Sequence, residues 1–334
     1  MPDVQPLAER SSTEPEPRLP LHTFSPPIIF PPLDQPHKQT FVFLHGRGSS
    51  ARNFAPPFLS SPVGGSSTGA DSKCLREALP NTRFVFPTAP RSRATIYRRS
   101  IINQWYDGSG DWEETVLGHA RETVDFVHDL LQEEALLVGG ADRIILGGIS
   151  QGCATALVCL LLWEGKPLGG LMGMCGMLPM NGVLGDTLCA SKESHSKEET
   201  GSWEMTSHAN QEVGDDVFES TSEDGSDPFA HDENQSPATP LIQALNILRG
   251  EMDLPLLEMS SEFPFQETPV FLGHGTEDDN VLFQYGQNAS RVLRTMGCEV
   301  EFRSYEGLGH WYSKDMLDDI LTFLDEKVAC YSSL

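Results

Sequence analysis

Apolar runs of strand length alternate along this chain with stretches whose apolar residues recur at helical spacing. Residues 40–44, 83–87, 143–146, 169–175 and 269–273 are near-continuous apolar runs and predict buried strands. Residues 299–305 alternate apolar and polar and predict another, while 24–30 predict a short edge strand interrupted by Pro26 and Pro27. Val116, Ala120, Val124, Val127 and Leu131 put one apolar face on a helix over 113–133, and Glu113 and Glu114 suit its N-terminus. Residues 151–164 predict a helix that is apolar on most sides, as beneath a sheet. Further helices are expected over 71–79, 241–249, 284–296 (stopped by Gly297) and 313–328. Residues 54–69 read as a Ser/Gly/Pro loop, and 91–112 as a long connection carrying Trp105, Tyr106, Asp107 and Trp112. Strands alternating with helices predict an α/β fold with a mostly parallel central sheet and helices on both faces.

Two segments break this pattern. Residues 1–20 are polar and carry Pro2, Pro6, Pro15, Pro17 and Pro20, which predicts a disordered Pro-rich tail. Residues 181–240 are rich in Ser, Glu, Asp, Gly and Thr and almost without periodicity. The periodic elements resume cleanly afterwards. One long acidic disordered insertion, 185–238, is therefore expected inside a single domain spanning 21–334.

The charge follows from that insertion. Between 186 and 233, 14 acidic residues and two lysines supply -12 of a formal net charge of -25. No basic cluster in the sequence offsets this, which argues against nucleic acid or an anionic membrane surface as a partner. Seven cysteines (74, 153, 159, 175, 189, 298 and 330) form no C-x-x-C motif and read as reduced, mostly buried thiols of an intracellular, cytoplasmic protein. Met1-Pro2-Asp3-Val4 shows no secretory signal, and the apolar run at 154–163 is too short to span a bilayer. Ser220 and Ser222 stand beside acidic residues as candidate phosphorylation sites.

Chemistry gathers where the apolar runs end. Leu146-Gly147-Gly148-Ile149-Ser150-Gln151-Gly152 is a strand, a sharp turn and a helix start, the context that gives a G-x-S-x-G motif its meaning. Gly148 and Gly152 leave room for a tight turn that lifts the Ser150 hydroxyl clear of the sheet, and the Gln151 N–H falls at a helix start suited to a developing negative charge. A serine nucleophile needs a base, and the base an orienting acid. His310 follows the 299–305 strand, and either Asp278 or Asp279 follows the 269–273 strand, in the order Ser…Asp…His. A second N–H toward an oxyanion is expected from Arg47, between two glycines in His45-Gly46-Arg47-Gly48. His45 and His274 read as structural, since no further ligands stand at metal-binding spacing. Trp105, Met177 and Leu178 are the candidate pocket-lining residues, although packing is the commoner use of such aromatic and methionine groups.

Taken in order, Phe43-Leu44-His45-Gly46-Arg47-Gly48, Pro87-Thr88-Ala89-Pro90, Gln104-Trp105-Tyr106-Asp107, Gly147-Gly148-Ile149-Ser150-Gln151-Gly152, Met177-Leu178-Pro179, His274-Gly275-Thr276-Glu277-Asp278 and Tyr305-Glu306-Gly307-Leu308-Gly309-His310 resemble the acyl-protein thioesterase / lysophospholipase-like carboxylesterase family of α/β-hydrolases. The resemblance runs over roughly 38–328 apart from the insertion. It implies an α/β-hydrolase fold with Ser150 as nucleophile, Asp278 rather than Asp279 as acid, His310 as base, and the Arg47 and Gln151 amides as oxyanion hole. It also implies hydrolysis of acyl esters or thioesters, S-acylated proteins or lysophospholipids among them, without metal or cofactor. The sequence departs from the family pattern at Ser49, Cys153, Thr276 and Met177. Two other readings stand beside this one: a general short-chain carboxylesterase, and a non-catalytic binding module on a hydrolase fold.

Overall fold

In the computed structural model, which describes residues 22–64, 73–108, 117–197, 238–258 and 262–328 (backbone only at 117–119 and 191–197), the apolar runs pair into one seven-stranded sheet. Its strands are β1 (Ser25–Phe30), β2 (Gln39–Leu44), β5 (Thr82–Thr88), β8 (Ile144–Ile149), β9 (Gly170–Met174), β10 (Val270–Gly275) and β11 (Val300–Tyr305). The spatial order is β1-β5-β2-β8-β9-β10-β11, with only β1 antiparallel to its neighbour. Two small hairpins lie apart from it, β3 (Pro62–Val63) with β4 (Lys73–Cys74), and β6 (Arg91–Ala94) with β7 (Ser100–Asn103).

Alternation along the strands sends side chains to two separate cores. Val42, Leu44, Ile144, Leu146 and Leu272 face one, while Phe41, Phe43, Ile145, Ile149 and Phe271 face the other. The first is covered by α3 (Leu117–Val138), α4 (Gln151–Leu161), α5 (Asn181–Lys197), α6 (Pro240–Glu251) and α7 (Phe283–Thr295). The second is covered by α1 (Ala51–Leu59), α2 (Leu75–Ala78) and α8 (Lys314–Lys327). Every residue of α4 is buried, because the helix is sandwiched between the sheet and α3. The α/β-hydrolase architecture read from the sequence is the one observed.

Several local expectations need correction. Residues 51–59 form a helix rather than the start of a loop: Ser50 caps it by accepting from Asn53 N, and Phe54, Ala55, Phe58 and Leu59 are buried, which outweighs Pro56 and Pro57 inside it. Of the described residues within 71–79 only Leu75–Ala78 is helical, and residues 91–103 fold into the β6–β7 hairpin. The helix expected over 113–133 begins, among described residues, at Leu117 and runs on to Val138. The expected insertion start at 185 is also too early, since α5 continues to Lys197 with Leu184 and Leu188 buried against the core. The Pro-rich tail, residues 198–237 with Ser220 and Ser222, Trp112 and Cys330 lie outside the described residues.

Candidate active site

Four strand ends meet at the carboxyl edge of the sheet. β8 ends at Ser150, whose φ of 57° and ψ of -124° lie in a region that side chains rarely occupy. Its N–H donates to Met174 O of β9 at 2.9 Å, which holds the turn. A Cβ on Gly148 would sit 2.3 Å from Gly152 backbone atoms, and one on Gly152 would sit 2.2 Å from Leu44 O of β2. Two glycines are therefore what lets α4 start hard against the sheet, as the G-x-S-x-G reading requires.

β10 and β11 deliver Asp278 and His310. A Cβ on Gly275 would meet Leu308 O at 2.0 Å, so the loop after β11 lies directly on the end of β10. The bonds Thr276 N to Tyr305 O (2.9 Å) and Glu277 N to Leu308 O (3.0 Å) tie the two together. His310 Nδ1 then stands 2.7 Å from Asp278 Oδ2, and His310 Nε2 stands 2.9 Å from Ser150 Oγ. The other oxygen of Asp278 accepts from Asn280 N at 2.9 Å and Val281 N at 2.8 Å. Asp278 is thus both the turn cap and the histidine's partner. Asp279 is exposed and is not brought to the histidine.

His274, expected to be structural, is buried against the same carboxylate. Its Nε2 lies 2.8 Å from Val281 O and 3.2 Å from Asp278 Oδ2, and burial holds its pKa below the usual histidine value. His45 is also buried. Its Nδ1–H donates to Gly46 O at 2.8 Å and its Nε2 accepts from Ala89 N at 3.1 Å, a pairing only the neutral ring can make. Burial pushes its pKa down to about 4.

Gln151 follows Ser150 and Gly46, which precedes Arg47, packs against it (a Cβ on Gly46 would lie 3.4 Å from Ser150 Cβ); neither the Arg47 nor the Gln151 amide is hydrogen-bonded to an acceptor among the described residues. The Gln151 side chain reaches the other way. Its Oε1 accepts from Trp105 N (3.1 Å) and its Nε2 donates to Tyr106 O (2.7 Å). Trp105 Nε1 in turn donates to His45 O at 2.7 Å, while Gly48 N donates to Asn103 O at 2.7 Å. Both loops that carry the amides are fixed through residues 103–106.

That role corrects the pocket expected from the sequence. A cavity of about 530 Å³ opens beside Ser150 and His310, within the size range of small-molecule sites. Met177 lines it. Trp105 and Leu178 do not: they are 0% and 2% exposed and belong to the core, Trp105 because its indole N–H is committed to His45 O. The remaining walls are Arg47, Ile96, Tyr97, Tyr106, Asn280, Val281 and Tyr285, beside Gln151 and Ala154. Ile96 and Tyr97 sit on the hairpin that the sequence reading took as part of a long connection. Their one signal is an apolar pair that stays exposed within a run of arginines.

No described helix is long and apolar enough to cross a membrane. Residues 28–200 and 250–328 match the phospholipase/carboxylesterase family. Acyl-protein thioesterase 1 of Yarrowia lipolytica is 24% identical over 90% of this chain and 97% of its own length. Carboxylesterase SOBER1 of Arabidopsis thaliana is 23% identical over 88% and 93%. Among solved structures, Zea mays acyl-protein thioesterase 2 superposes with a TM-score of 0.56 at 20% identity, covering 91% of this chain and 99% of that one. With the family matched across both sides of the insertion, this chain belongs to the phospholipase/carboxylesterase family of ester hydrolases.

Proposed function

We propose that this chain is a serine hydrolase of acyl esters and thioesters that works through an acyl-enzyme on Ser150, with S-acylated proteins and lysophospholipids as the substrate classes of interest. The observation that carries this reading is the continuous relay from Ser150 Oγ through His310 to Asp278, with bonds of 2.9 and 2.7 Å. Ser150 Oγ attacks the substrate carbonyl carbon while His310 Nε2 takes its proton. Asp278, acting on Nδ1–H, fixes the tautomer and stabilises the imidazolium. The Arg47 and Gln151 N–H groups receive the carbonyl oxygen as it becomes an oxyanion. Collapse breaks the bond to the alcohol or thiol, which leaves with the proton from His310. Water then attacks the acyl-serine, gives a proton to His310, and releases the acid as Ser150 recovers its proton.

The names of the acyl-protein thioesterase relatives support thioesters among the substrates. The described cysteines, Cys74, Cys153, Cys159, Cys175, Cys189 and Cys298, are all free, which supports a reducing, cytoplasmic setting. The test is a comparison of an S-palmitoylated peptide, a lysophospholipid and a short p-nitrophenyl ester as substrates of the full chain. Cleavage of the thioester or the lysophospholipid supports the proposal. Cleavage of the short ester alone returns the general carboxylesterase, and cleavage of none returns the binding module.

A further inference from the structure

We infer that the cavity beside Ser150 selects acyl esters and thioesters carrying an anionic group, a carboxylate or phosphate, within one arginine side-chain length of the scissile carbonyl, and that the Arg47 guanidinium binds that group. The inference rests on the hydrolase reading above and narrows its substrates.

Among the described residues Arg47 has no counter-ion. Its loop touches the nucleophile, since a Cβ on the preceding Gly46 would lie 3.4 Å from Ser150 Cβ, and its side chain lines the same cavity. Of the guanidinium's five N–H donors, one Nη2–H goes to Gly108 O at 2.5 Å. The Arg47 Nε is buried and has no hydrogen-bond partner among the described residues. The cation rests 5.8 Å from the Tyr106 ring centroid, which holds it without neutralising it. Among the described residues no carboxylate lies within ion-pair distance of Arg47, whereas Arg83, Arg121, Arg249 and Arg303 each have one. No described aspartate or glutamate lines the cavity. A half-buried, incompletely bonded guanidinium in a concave site is the donor set that a planar anion completes.

The hairpin that borders the cavity carries the same sign. The β6–β7 hairpin, whose tip supplies Ile96 and Tyr97, carries the exposed Arg91, Arg93, Arg98 and Arg99 and no acidic residue from 91 to 103. The reading that no basic cluster offsets the acidic chain is corrected here, because four arginines stand on one short hairpin. Positive charge on an element bordering a concave site raises the local concentration of anions even on a protein of net charge -25.

Arm length decides which anions qualify. Because the Arg47 amide is the proposed oxyanion donor, its own guanidinium reaches groups a few bonds from the carbonyl and not the far end of a long chain. Half-esters of dicarboxylic acids and esters of anionic alcohols fit this description.

Two matched substrate pairs separate the sources of the anion: p-nitrophenyl hexanoate against mono-p-nitrophenyl adipate for the acyl side, and butyrate esters of 4-hydroxybenzamide against 4-hydroxybenzoate for the alcohol side. The full chain, Arg47→Met and Arg47→Lys are compared by kcat/KM, with fluorophosphonate labelling as the check that each active site is assembled. The expected result is an anionic preference of about tenfold or more in at least one pair. It falls to about twofold or less in Arg47→Met and is largely kept in Arg47→Lys. Hydrolysis of the neutral esters with no anionic preference in either pair overturns the inference alone, as does a preference that Arg47→Met leaves intact. Absence of both labelling and hydrolysis overturns the hydrolase reading and this inference with it.

Discussion

Replacing Asp278 by Asn tests the relay at its least exposed member. Asp278 Oδ1 accepts two backbone N–H groups, from Asn280 and Val281, and Oδ2 faces His310 Nδ1 at 2.7 Å and His274 Nε2 at 3.2 Å. The backbone donors cannot reverse, so an asparagine keeps its oxygen on them and turns its NH₂ toward both rings. His310 must then accept at Nδ1, which moves its own proton to Nε2. In that tautomer the ring donates to Ser150 instead of taking its proton. The expected loss in kcat is about 10⁴-fold, or roughly 5 kcal/mol of transition-state stabilisation. The loss of charge-assisted bonds costs about 1–3 kcal/mol of stability, so the variant still folds. Initial rates on a neutral p-nitrophenyl ester and a urea unfolding midpoint read both quantities. Asp279→Asn is the control, and because Asp279 is exposed its rate stays within about twofold of the parent. A folded Asp278→Asn protein within tenfold of the parent, or an equal loss in Asp279→Asn, refutes the reasoning.

The other expectations follow from burial. His45, with a folded pKa of about 4 against 6.5 unfolded, takes up a proton in the unfolded state first; stability is therefore complete above about pH 6.5 and falls by about 3 kcal/mol as pH drops toward 4. Urea unfolding across that window is expected to show a steeper pH dependence than in His45→Asn, and equal slopes would contradict the assignment. Gly152→Ala places a Cβ 2.2 Å from Leu44 O and 2.7 Å from His45 O, both backbone, so a destabilisation of about 1–3 kcal/mol with a lower kcat is expected; an unchanged melting temperature would count against it. Burial pushes the Cys153 and Cys159 thiols up, and Cys298 to about 12, so a disulfide reagent is expected to modify exposed Cys189 in the folded protein and these three only on unfolding. Rapid modification of Cys153 in the folded protein would mean that α4 is not packed as described.

The strands and the chemistry at their ends were legible because each rests on local pattern. Residues 41–44 and 144–149 carry no polar side chain on either face, a composition that suits a covered central strand. Ser150 and the Asp278/Asp279 pair each follow such a run and His310 follows an alternating strand, and strand ends are where parallel sheets gather their site; the choice of Asp278 over Asp279 came from the family resemblance. The pocket walls were not legible for the opposite reason. Trp105 looked like a wall because it is large and aromatic, yet its indole N–H finds His45 O, a contact 60 positions away in sequence. Ile96 and Tyr97 reach the site only because Arg91–Ala94 pairs with Ser100–Asn103, and strand alternation is too weak there to announce a hairpin. The start of α5 shows the same limit, since Leu184 and Leu188 lie on a helix whose remaining composition reads as insertion.

The central claim is that Ser150 is an activated nucleophile. Intact-mass spectrometry of the full chain after exposure to a fluorophosphonate, followed by peptide mapping, tests it directly. The account predicts a single adduct, on Ser150, that is lost in Ser150→Ala and strongly slowed in His310→Ala. A folded chain that takes up no adduct, or takes it at another serine, would contradict the claim.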